Sequence, residues 1–358
     1  MPPSSHKAGA SPRSGSALES RLLRAWQSRG SLPCLLLPLA ALFGLLTAGR
    51  RLAYRWGWLR SVRLPVPVVI VGNITVGGVG KTPLTIHLVE ALCRLGRHPG
   101  VISRGYGGDV DGVCAVRLDS HATEVGDEPL LIALRTGVPV VVGRDRVAAA
   151  QALLAAHPEV DVLLSDDGLQ HYRLARDAEV VVFDGRGVMN GWLLPAGPLR
   201  EPVARLAGVD ALVINAAESA IAVPPAPTCG VSIYRMRLQS GRIYRLGKPD
   251  ETIDHGAFAG GRVHAVAGIG HPQRFFDQLT ALGITHDPLP FPDHHAYAAG
   301  DLPSDGRPIL TTEKDAVKLN ALVPAYPGDI WVLPVNCFIE PDVLAARLLE
   351  KLHGPSLA

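Results

Sequence analysis

The chain has 358 residues, enough for two modest domains, and 47% of them are hydrophobic while 19% are charged, so we expect most of it to fold. The formal net charge is only +2, and no Lys/Arg run interleaved with aromatic residues occurs, which argues against a nucleic-acid partner. The five cysteines are scattered, include no C-x-x-C pair and are odd in number, which argues against a disulfide framework or a zinc site and fits a reducing compartment.

The N-terminal region divides into two parts. Residues 1–20 are rich in Ser, Pro, Gly and Ala, and we interpret them as a disordered extension. Residues 21–62 predict a membrane-associating helical segment, because the uncharged stretch Leu32–Ala48 has arginines on both sides and aromatic residues after it. Its seventeen residues would span about 26 Å as a helix, slightly less than a bilayer core, and two prolines shorten it further. We therefore expect it to enter one leaflet; a buried core helix, a spanning anchor and a cleaved signal peptide are the alternatives.

From residue 63 onward, apolar strands alternate with helices, which indicates an α/β fold with a parallel sheet covered on both faces. We predict a first α/β domain over residues 63–228. After a Pro-rich stretch, residues of alternating polarity predict antiparallel strands, and a second strand–helix pattern follows. We therefore predict a smaller C-terminal α/β domain over residues 229–358, with a β-ribbon linker at its start.

The strongest chemical signal is VVIVGNITVGGVGKTP, in which an apolar strand enters a Gly-rich turn and Gly-Lys-Thr opens a helix. Backbone N–H groups and a helix N-terminus bind phosphate in this context, so we predict a P-loop NTPase-like core. Lys81 should reach the β- and γ-phosphates of ATP, and the Thr82 hydroxyl should ligate Mg²⁺. A structural Gly-rich turn is the alternative. The loop predicted to bind nucleotide comprises Thr75, Val76, Gly77, Gly78, Val79, Gly80, Lys81 and Thr82.

A second signal is VDVLLSDDG, an apolar strand that ends in two carboxylates. Such a strand delivers its acidic residues to the carboxyl edge of the sheet, where ligands of open α/β folds bind. Asp166 or Asp167 would hold Mg²⁺, directly or through water, and an Asp-Asp-Gly turn is the alternative.

Other polar clusters follow further strands, in SRGYGG, GDEP, LLPAGPLRE and FPDHH. Asp127 and His294 from two of these clusters are a candidate catalytic pair, in which a carboxylate accepts a hydroxyl proton while a histidine orients it. Asp127 could instead be an N-cap, and His294 a structural histidine. An Asp-His-His metal site is disfavoured, because no further ligands stand at metal spacing.

Seven motifs in this order resemble the tetraacyldisaccharide 4'-kinase family of lipid A biosynthesis in Gram-negative bacteria: GNITVGGVGKTP, SRGYGG, GDEP, DDGLQHYRLARD, LLPAGPLRE, FPDHHAY and TTEKDAVK. The resemblance covers about residues 66–320. It implies a kinase that moves the γ-phosphoryl of ATP, with Mg²⁺, to the 4'-hydroxyl of a tetraacylated glucosamine disaccharide 1-phosphate. It also implies two α/β domains joined by a β-ribbon and a monotopic or peripheral location at the cytoplasmic face of the inner membrane.

The resemblance also assigns residues. Lys81 and Thr82 match the phosphate and Mg²⁺ ligands, and Asp166 and Asp167 match the acidic metal-binding pair. Asp127 matches the proposed catalytic carboxylate and His294 its partner from the second domain. Further polar residues match the cleft lining, with less certain individual roles: Asn73, Arg104, Gln170, His171 and Arg200.

Two other functions remain as alternatives. A membrane-associated switch ATPase or GTPase shares GGVGKT, but Val76 stands where that class has its signature lysine, and no Asn-Lys-x-Asp motif follows. A membrane scaffold that only binds nucleotide is the second. The kinase function also explains the N-terminal segment. An acceptor with four acyl chains stays in the bilayer, because removing it would cost about 0.8 kcal/mol per buried CH₂, so the active site must come to the membrane surface. The N-terminal arginines would attract anionic lipid and the phosphate of the acceptor.

Overall fold

A computed structural model describes residues 21–216 and 230–353, and these residues form two sheets. The extension predicted for residues 1–20 lies outside the described residues. The first sheet has nine strands: β1 (Val68–Gly72), β2 (Pro99–Ser103), β3 (Val113–Val116), β4 (Val140–Gly143), β5 (Val162–Asp166), β6 (Ala178–Asp184), β7 (Ala211–Asn215), β8 (Ser232–Ser240) and β15 (Val335–Glu340). Their order is β15-β8-β7-β6-β1-β5-β2-β4-β3, and all neighbours are parallel except β3–β4 and β8–β15. Every residue of the central strands β1, β5 and β6 is buried, as expected for a parallel sheet covered on both faces.

Helices cover both faces of this sheet. Residues 21–25 are helical, and the described chain also includes the α-helices α1 (Ser31–Leu35), α2 (Leu37–Arg55), α3 (Lys81–Arg94), α4 (Ala122–Val125), α5 (Asp127–Thr136), α6 (Arg146–Ala156), α7 (Pro272–Ala281), α8 (Glu313–Leu319) and α9 (Leu344–His353). Leu88 and Leu92 of α3 pack into the core on one face, and Leu153 of α6 packs into the core on the other. Short 3₁₀ helices span Val203–Gly208, His255–Phe258, Ala299–Asp301 and Asn320–Ala325.

The second sheet is smaller and mixed. Its strands are β9 (Ile243–Arg245), β10 (Lys248–Ile253), β11 (Val263–Ala267), β12 (His286–Pro290), β13 (Ile309–Thr312) and β14 (Ile330–Leu333), in the order β10-β9-β14-β13-β11-β12. Strands β12, β11, β13 and β14 are parallel, and β9 joins them antiparallel. Phe275, Phe276 and Leu279 of α7 fill its core.

The division between the two units differs from the predicted boundary at residue 229. Strand β8 pairs with β7, β15 pairs with β8, and Leu344 and Leu348 of α9 join the core of the first sheet. The smaller unit therefore spans residues 243–333, which corrects the prediction of 229–358. The segments on either side of it, β8 before it and β15 with α9 after it, belong to the first sheet and its core. The antiparallel pair β8–β15 is the linking ribbon, and it continues into the second sheet as β9–β14.

The N-terminal segment is helical but is not a buried core helix. It is divided at Leu36, and Pro38 is the second residue of α2, where a proline is tolerated. Only Ala40 of α2 is buried. Five leucines along α1 and α2 expose between 54% and 77% of their surface, and we call them the outer leucines: Leu35, Leu39, Leu42, Leu45 and Leu46. Within residues 21–216 and 230–353, no helix has both the length and the apolar character needed to cross a membrane.

Candidate active site

The Gly-rich loop lies at the carboxyl edge of the first sheet, between β1 and the first turn of α3. Gly80 has φ = 100°, a left-handed conformation that glycine adopts without steric cost. A Cβ on Gly80 would lie 2.8 Å from the side-chain nitrogen of Asn215 and 2.8 Å from the terminal methyl of Met236. Gly77 also has a positive φ, of 96°. The loop thus needs glycine both for its backbone angles and for its close packing.

The beginning of the loop is fixed by the segment 198–200. Thr75 forms an isolated bridge with Leu199, and the Val76 N–H donates to the Pro198 carbonyl at 2.9 Å. Thr75 is buried, whereas residues 77–82 line the neighbouring cleft. Of the residues predicted to bind nucleotide, Thr75 and Val76 therefore support the loop, and Gly77, Gly78, Val79, Gly80, Lys81 and Thr82 face the space that a ligand would occupy.

Lys81 is held between an amide and a carboxylate. Its Nζ lies 3.3 Å from Asn73 Oδ1 and 3.5 Å from Asp167 Oδ1. Arg200 contacts the same carboxylate, with Nη1 3.3 Å from Oδ1 and 3.2 Å from Oδ2 of Asp167. Burial alone would raise the pKa of Asp167, but Lys81 and Arg200 outweigh it and lower that pKa below its usual value. Two cations therefore converge on one ionised carboxylate at the mouth of the loop.

Asp166 lies beneath this group, where β5 pairs with β1. Its Oδ1 accepts a hydrogen bond from Thr85 Oγ1 at 3.1 Å, while its buried Oδ2 has no hydrogen-bond partner among the described residues. Burial and the nearby charge of Glu128 raise the pKa of Asp166 to about 7, against the attraction of Lys81. Thr85 follows Thr82 by one turn of α3. An unsatisfied buried oxygen beside the start of this helix fits a divalent cation, which prefers oxygen ligands.

Asp127 and His294 meet across the two units. His294 Nδ1 donates to the Asp127 carboxylate, with distances of 3.1 and 3.0 Å to its two oxygens. The Asp127 side chain is 1% exposed and the His294 side chain 20%. Gly126, not Asp127, is the N-cap of α5, and the Glu128 N–H donates to Asp127 Oδ1 at 2.9 Å. The carboxylate is therefore engaged mainly by a residue more than 160 positions away.

Two lysines of α8 add positive charge to the pair. Lys314 and Lys318 each place Nζ 3.9 Å from Asp127 Oδ2. Burial would raise the pKa of Asp127, but the His294 hydrogen bond and these lysines lower it below its usual value. For His294, burial lowers the pKa and Lys314 opposes the charged form, yet the bond to Asp127 raises the pKa overall. Asp127 is thus ionised at neutral pH.

The SRGYGG loop makes room for the pair. Gly107 has φ = 84°, and a Cβ there would lie 2.9 Å from His294 Nδ1. The Tyr106 ring packs edge-on against the imidazole, with centroids 4.9 Å apart. In the described chain, three non-glycine residues have positive φ, and two of them are Asp167 and His294. Backbone strain therefore coincides with two of the predicted site residues.

The site lies in a cleft of about 1360 Å³ between the two units, lined also by the N-terminal helix. Its wall includes Lys81 and Asp167 from the first unit, His294 from the second, and Phe43 and Arg50 from α2. Trp26 anchors the N-terminal segment beside it, because its indole N–H donates to the Pro195 carbonyl at 3.0 Å. The cleft therefore joins the phosphate loop, the carboxylate–histidine pair and the apolar helix.

Comparison with known proteins gives a consistent result. The model of the family described as LpxK, tetraacyldisaccharide-1-P 4'-kinase, matches residues 32–353. Tetraacyldisaccharide 4'-kinases from Azoarcus sp. (strain BH72) and Chromobacterium violaceum are 54% and 52% identical to this chain, each over 92% of it and over 95% and 97% of the relatives. The crystal structure of an "apo" form of LpxK from Aquifex aeolicus in complex with ATP has a TM-score of 0.76 at 30% identity, covering 90% of this chain and 99% of that one.

The chain belongs to the tetraacyldisaccharide-1-P 4'-kinase family. Membership confirms the enzyme class predicted from the sequence, an ATP-dependent phosphotransferase with an alcohol acceptor in lipid A biosynthesis. It also confirms the α/β, P-loop NTPase-like fold, and it sets aside the switch ATPase or GTPase.

The other polar residues predicted for this kinase divide into two groups. Arg104, Gln170 and Arg200 line the cleft. Asn73 is fully buried and acts on Lys81, and His171 is not among the lining residues. Only three of the five predicted residues are therefore positioned to contact a ligand in the cleft.

Sequence reasoning missed two charged groups of this kinase. The first is the pair Lys314 and Lys318, although their motif was part of the family resemblance. The second is a cluster at the end of β6, where Asp184 accepts hydrogen bonds from Arg186 and Arg274, each at 2.8 Å. Arg186 also donates to the Gly78 carbonyl of the loop at 3.2 Å. The sequence did offer a signal for this cluster, because the buried strand β6 ends in an acidic residue, as β5 does.

Proposed function

We propose that this kinase transfers the γ-phosphoryl group of ATP, with Mg²⁺, to the 4'-hydroxyl of an acylated glucosamine disaccharide 1-phosphate at a membrane surface. One observation carries the proposal: a single cleft is lined by Lys81, by His294 and by the N-terminal helix. The phosphoryl donor, the proton acceptor and the lipid substrate would then meet in one cleft. The family name supports this acceptor, and the Aquifex aeolicus LpxK structure, which is in complex with ATP, supports this donor.

The triphosphate would lie on the loop of residues 77–82. Loop N–H groups and the positive end of α3 favour its negative charge, and Lys81 would reach the β- and γ-oxygens. Arg200 contacts the same Asp167 carboxylate as Lys81 and would add a second cation beside the transferred group. These charges stabilise the phosphoryl group as electron density moves to the leaving ADP.

Thr82, Asp166 and Asp167 would hold the Mg²⁺ ion. They fit it because they offer oxygens, and because the free Oδ2 of Asp166 needs a positive charge nearby. When bound, the ion supplies Lewis-acid stabilisation of the phosphate oxygens. The Asp167 carboxylate also contacts both Lys81 and Arg200 and so holds the two cations in position.

Transfer needs a proton acceptor for the acceptor hydroxyl. As the oxygen forms its bond to the γ-phosphorus, the bond between that phosphorus and the β–γ bridging oxygen breaks and ADP leaves. The hydroxyl proton passes to the Asp127–His294 pair, in which Asp127 supplies the negative charge and His294 is the member that lines the cleft. The low pKa of Asp127 keeps its carboxylate ionised at neutral pH, and the hydrogen bond to this carboxylate raises the pKa of His294, so the neutral form of the imidazole is a stronger proton acceptor.

The acceptor would be presented by a membrane, with the outer leucines among its acyl chains. The arginines and the exposed Trp56 and Trp58 that follow α2 suit the headgroup region. We place the kinase at the cytoplasmic face of the inner membrane as a monotopic or peripheral protein, because ATP is available there.

The test is ATP turnover with and without the acylated disaccharide in mixed micelles. We expect turnover to depend on the acceptor and radiolabel from γ-labelled ATP to appear in the glycolipid. Turnover that ignores the acceptor would contradict the proposed acceptor. Absence of turnover with a folded, ATP-bound protein would indicate a nucleotide-binding scaffold instead.

A further inference from the structure

Helix α8 of the second unit packs directly on helix α5 of the first unit. Val317 of α8 lies against an apolar cluster of the first unit that includes Val125 and Leu130. An ion pair accompanies this contact, because Arg135 of α5 places Nη1 2.6 Å from Glu313 Oε1. The Glu313 side chain is 8% exposed, so the pair is largely shielded from water. The side chains of α8 therefore have a defined position relative to the first turn of α5.

Lys314 of α8 binds carboxylates of both units. Its Nζ donates to Glu128 Oε1 of the first unit at 3.0 Å and to Asp293 Oδ1 of the second unit at 3.1 Å. Asp127 Oδ2 lies 3.9 Å from the same Nζ, which is an ion-pair distance rather than a hydrogen-bond distance. One lysine on the wall of the cleft thus joins three carboxylates from two distant parts of the chain.

Two of these carboxylates adjoin the Asp127–His294 pair along the chain. Glu128 follows Asp127, and Asp293 precedes His294. The oxygen of Asp293 that accepts from Lys314 also accepts the His294 backbone N–H at 3.1 Å. His294 has φ = 57°, a conformation that is uncommon for a residue with a side chain and must be held by its surroundings. The contact between Lys314 and Asp293 therefore supports the backbone that directs the imidazole at Asp127.

Lys318, one helical turn later, is bound in a different way. Its Nζ lies 2.7 Å from Asp315 Oδ1 and donates to the Gly268 carbonyl at 3.3 Å. Both partners belong to the second unit, and Asp127 of the first unit lies 3.9 Å away. Lys318 is therefore held mainly within its own unit, whereas the two hydrogen bonds of Lys314 join the units.

The charge of Lys314 also acts on both members of the pair. Burial and the Lys314 ammonium lower the pKa of His294. Asp127 and Asp293 raise it and prevail, so the pKa of His294 lies above its ordinary value. For Asp127, burial raises the pKa, and the contacts with His294, Lys314 and Lys318 lower it below the ordinary value. Lys314 thus opposes protonation of the pair before the proton of a substrate arrives.

We propose that Lys314 is a positioning residue for phosphoryl transfer, which binds carboxylates of both units and thereby holds the imidazole of His294 against Asp127. The inference rests on the proposed function, because it assigns to Lys314 the alignment of the proton-accepting pair. Two side chains from different units are aligned only as well as the contacts between the units allow, and a shift of about 1 Å costs about a hundredfold in rate. Lys314 meets this need with a charge-assisted hydrogen bond to each unit.

The experiment compares four variants of the kinase. Lys314→Gln removes the ammonium, Lys314→Arg retains a positive charge, and Asp293→Asn removes the carboxylate that connects the lysine to the histidine backbone. Lys351→Gln is the matched control, because Lys351 is a half-exposed lysine that pairs with Asp210 and does not line the cleft. Labelled glycolipid formation gives kcat between about pH 5.5 and pH 9.5. NMR of protein with isotope-labelled histidine gives the pKa of His294 separately, and the His294 signal is identified by its absence in His294→Gln.

We expect Lys314→Gln to lower kcat by about ten- to a hundredfold at about pH 7.5 and to change ATP affinity by less than about threefold. The pKa of His294 and the acid limb of the kcat profile should both rise by about one pH unit, because a nearby cation is lost. Asp293→Asn should also lower the plateau of kcat but should shift the pKa and the limb downward, because it removes an anion. Lys314→Arg should keep the acid limb in place, and Lys351→Gln should change neither kcat nor the pKa.

A double-mutant cycle shows whether Lys314 acts through the pair. In the His294→Gln background, Lys314→Gln should lower kcat by less than about twofold further, because the group that the lysine positions is already absent. A full, additive loss would show that Lys314 acts independently of His294 and would overturn the inference.

Three other results would also overturn it. A fall in ATP affinity as large as the fall in kcat would make Lys314 a nucleotide-binding residue. A loss of kcat in Lys314→Gln without a rise in the pKa of His294 would leave the lysine a structural role only. An equal shift of the acid limb in Lys314→Arg would exclude the positive charge as the cause.

Two further measurements keep these outcomes separate. Thermal unfolding shows which variants remain folded, and Asp293→Asn decides the question where Lys314→Gln does not fold, because an unchanged pKa of His294 in that variant would contradict the inference. If the unmodified kinase labels no glycolipid, the proposed function fails, whereas the NMR titration still decides whether Lys314 acts on His294.

Discussion

The two ends of the cleft are built in opposite ways. At the phosphate-loop end, the polar groups are buried and held by named partners, as in the contacts of Lys81 with Asn73 and Asp167. At the other end, α2 leaves its leucines exposed, and the N-terminal segment is attached by few contacts, including that of Trp26 with Pro195. The first end must fix the positions of its charges to within fractions of an ångström of the reacting groups. The second end needs only an apolar surface and a few cations to contact a membrane.

This difference indicates a division of roles. A fixed arrangement of charges stabilises a transition state, because the dipoles need not reorganise during reaction. An exposed apolar surface stabilises the protein only where another apolar phase covers it. Changes at the first end should therefore affect kcat, and changes at the second should affect KM and membrane binding.

The largest effect is expected for Lys81→Ala. Loss of the cation next to the β- and γ-phosphates should lower kcat by about a thousandfold or more, as removal of one preorganised charge partner does elsewhere. Labelled glycolipid formation at saturating ATP is the measurement. Lys248→Ala, which removes a largely exposed lysine of β10, is the matched control and should leave kcat unchanged. Activity retained by a folded Lys81→Ala protein would contradict the assignment of the phosphate loop.

The next effect concerns the pair that joins the two units. Asp127→Asn and His294→Gln should each lower kcat by about 10²- to 10⁴-fold, because general-base assistance is lost, and should change ATP affinity little. His295→Gln is the control, because His295 bonds to Asp301 at 3.0 Å and stacks on Phe291. Single-turnover kinetics and ATP titration separate the two quantities.

The reverse pattern would assign the pair a different role. Weaker ATP binding with an unchanged rate of transfer would make Asp127 a metal or capping residue. A loss of activity in His295→Gln equal to that in His294→Gln would show that the second histidine is not a neutral control.

A smaller and different effect is expected at the helix. Leu42→Gln/Leu46→Gln should weaken vesicle binding by about tenfold or more, since burial of each leucine contributes about 1.5–3 kcal/mol. The rate at saturating micellar acceptor should remain, because the phosphate loop is untouched. Leu118→Gln, at an exposed leucine outside this helix, is the control in a flotation assay. Equal binding by all three proteins would refute membrane docking through α2.

The sequence predicted these two ends to different degrees. The Gly-Lys-Thr loop and the Asp-Asp strand end are local patterns, and their positions follow from one strand–helix unit each. The meeting of Asp127 with His294 depends on how the second unit packs on the first, so spacing could suggest the pair but could not place it. The resemblance to the kinase family supplied that connection.

The boundary between the units could not be predicted for a related reason. Strand β8 alternates in polarity, because it leaves the first sheet and becomes one strand of a ribbon, so its pattern favours the second domain. Strand β15 returns to β8 from a position nearly a hundred residues later. Lys314 and Lys318 were likewise missed, since a lysine in a helix is usually solvated, and only packing directs these two toward Asp127.

The smallest effect is on stability, and its pH dependence tests whether the Asp127–His294 pair is charged. The folded pKa of Asp127 lies below the ordinary 3.8, so its contribution is present above that value and is lost as pH falls through the folded pKa. The folded pKa of His294 lies above 6.5, so its contribution is complete below 6.5 and is lost as pH rises through the folded pKa. The two contributions overlap between about pH 4 and pH 6.5.

In urea unfolding, His294→Gln should therefore lower the free energy of unfolding by about 1–2 kcal/mol at about pH 5.5 and by less at about pH 9. Lys314 and Lys318 remain beside Asp127 in that variant, so the difference isolates the imidazole, and a difference that grows with pH would mean that His294 is neutral in the folded protein.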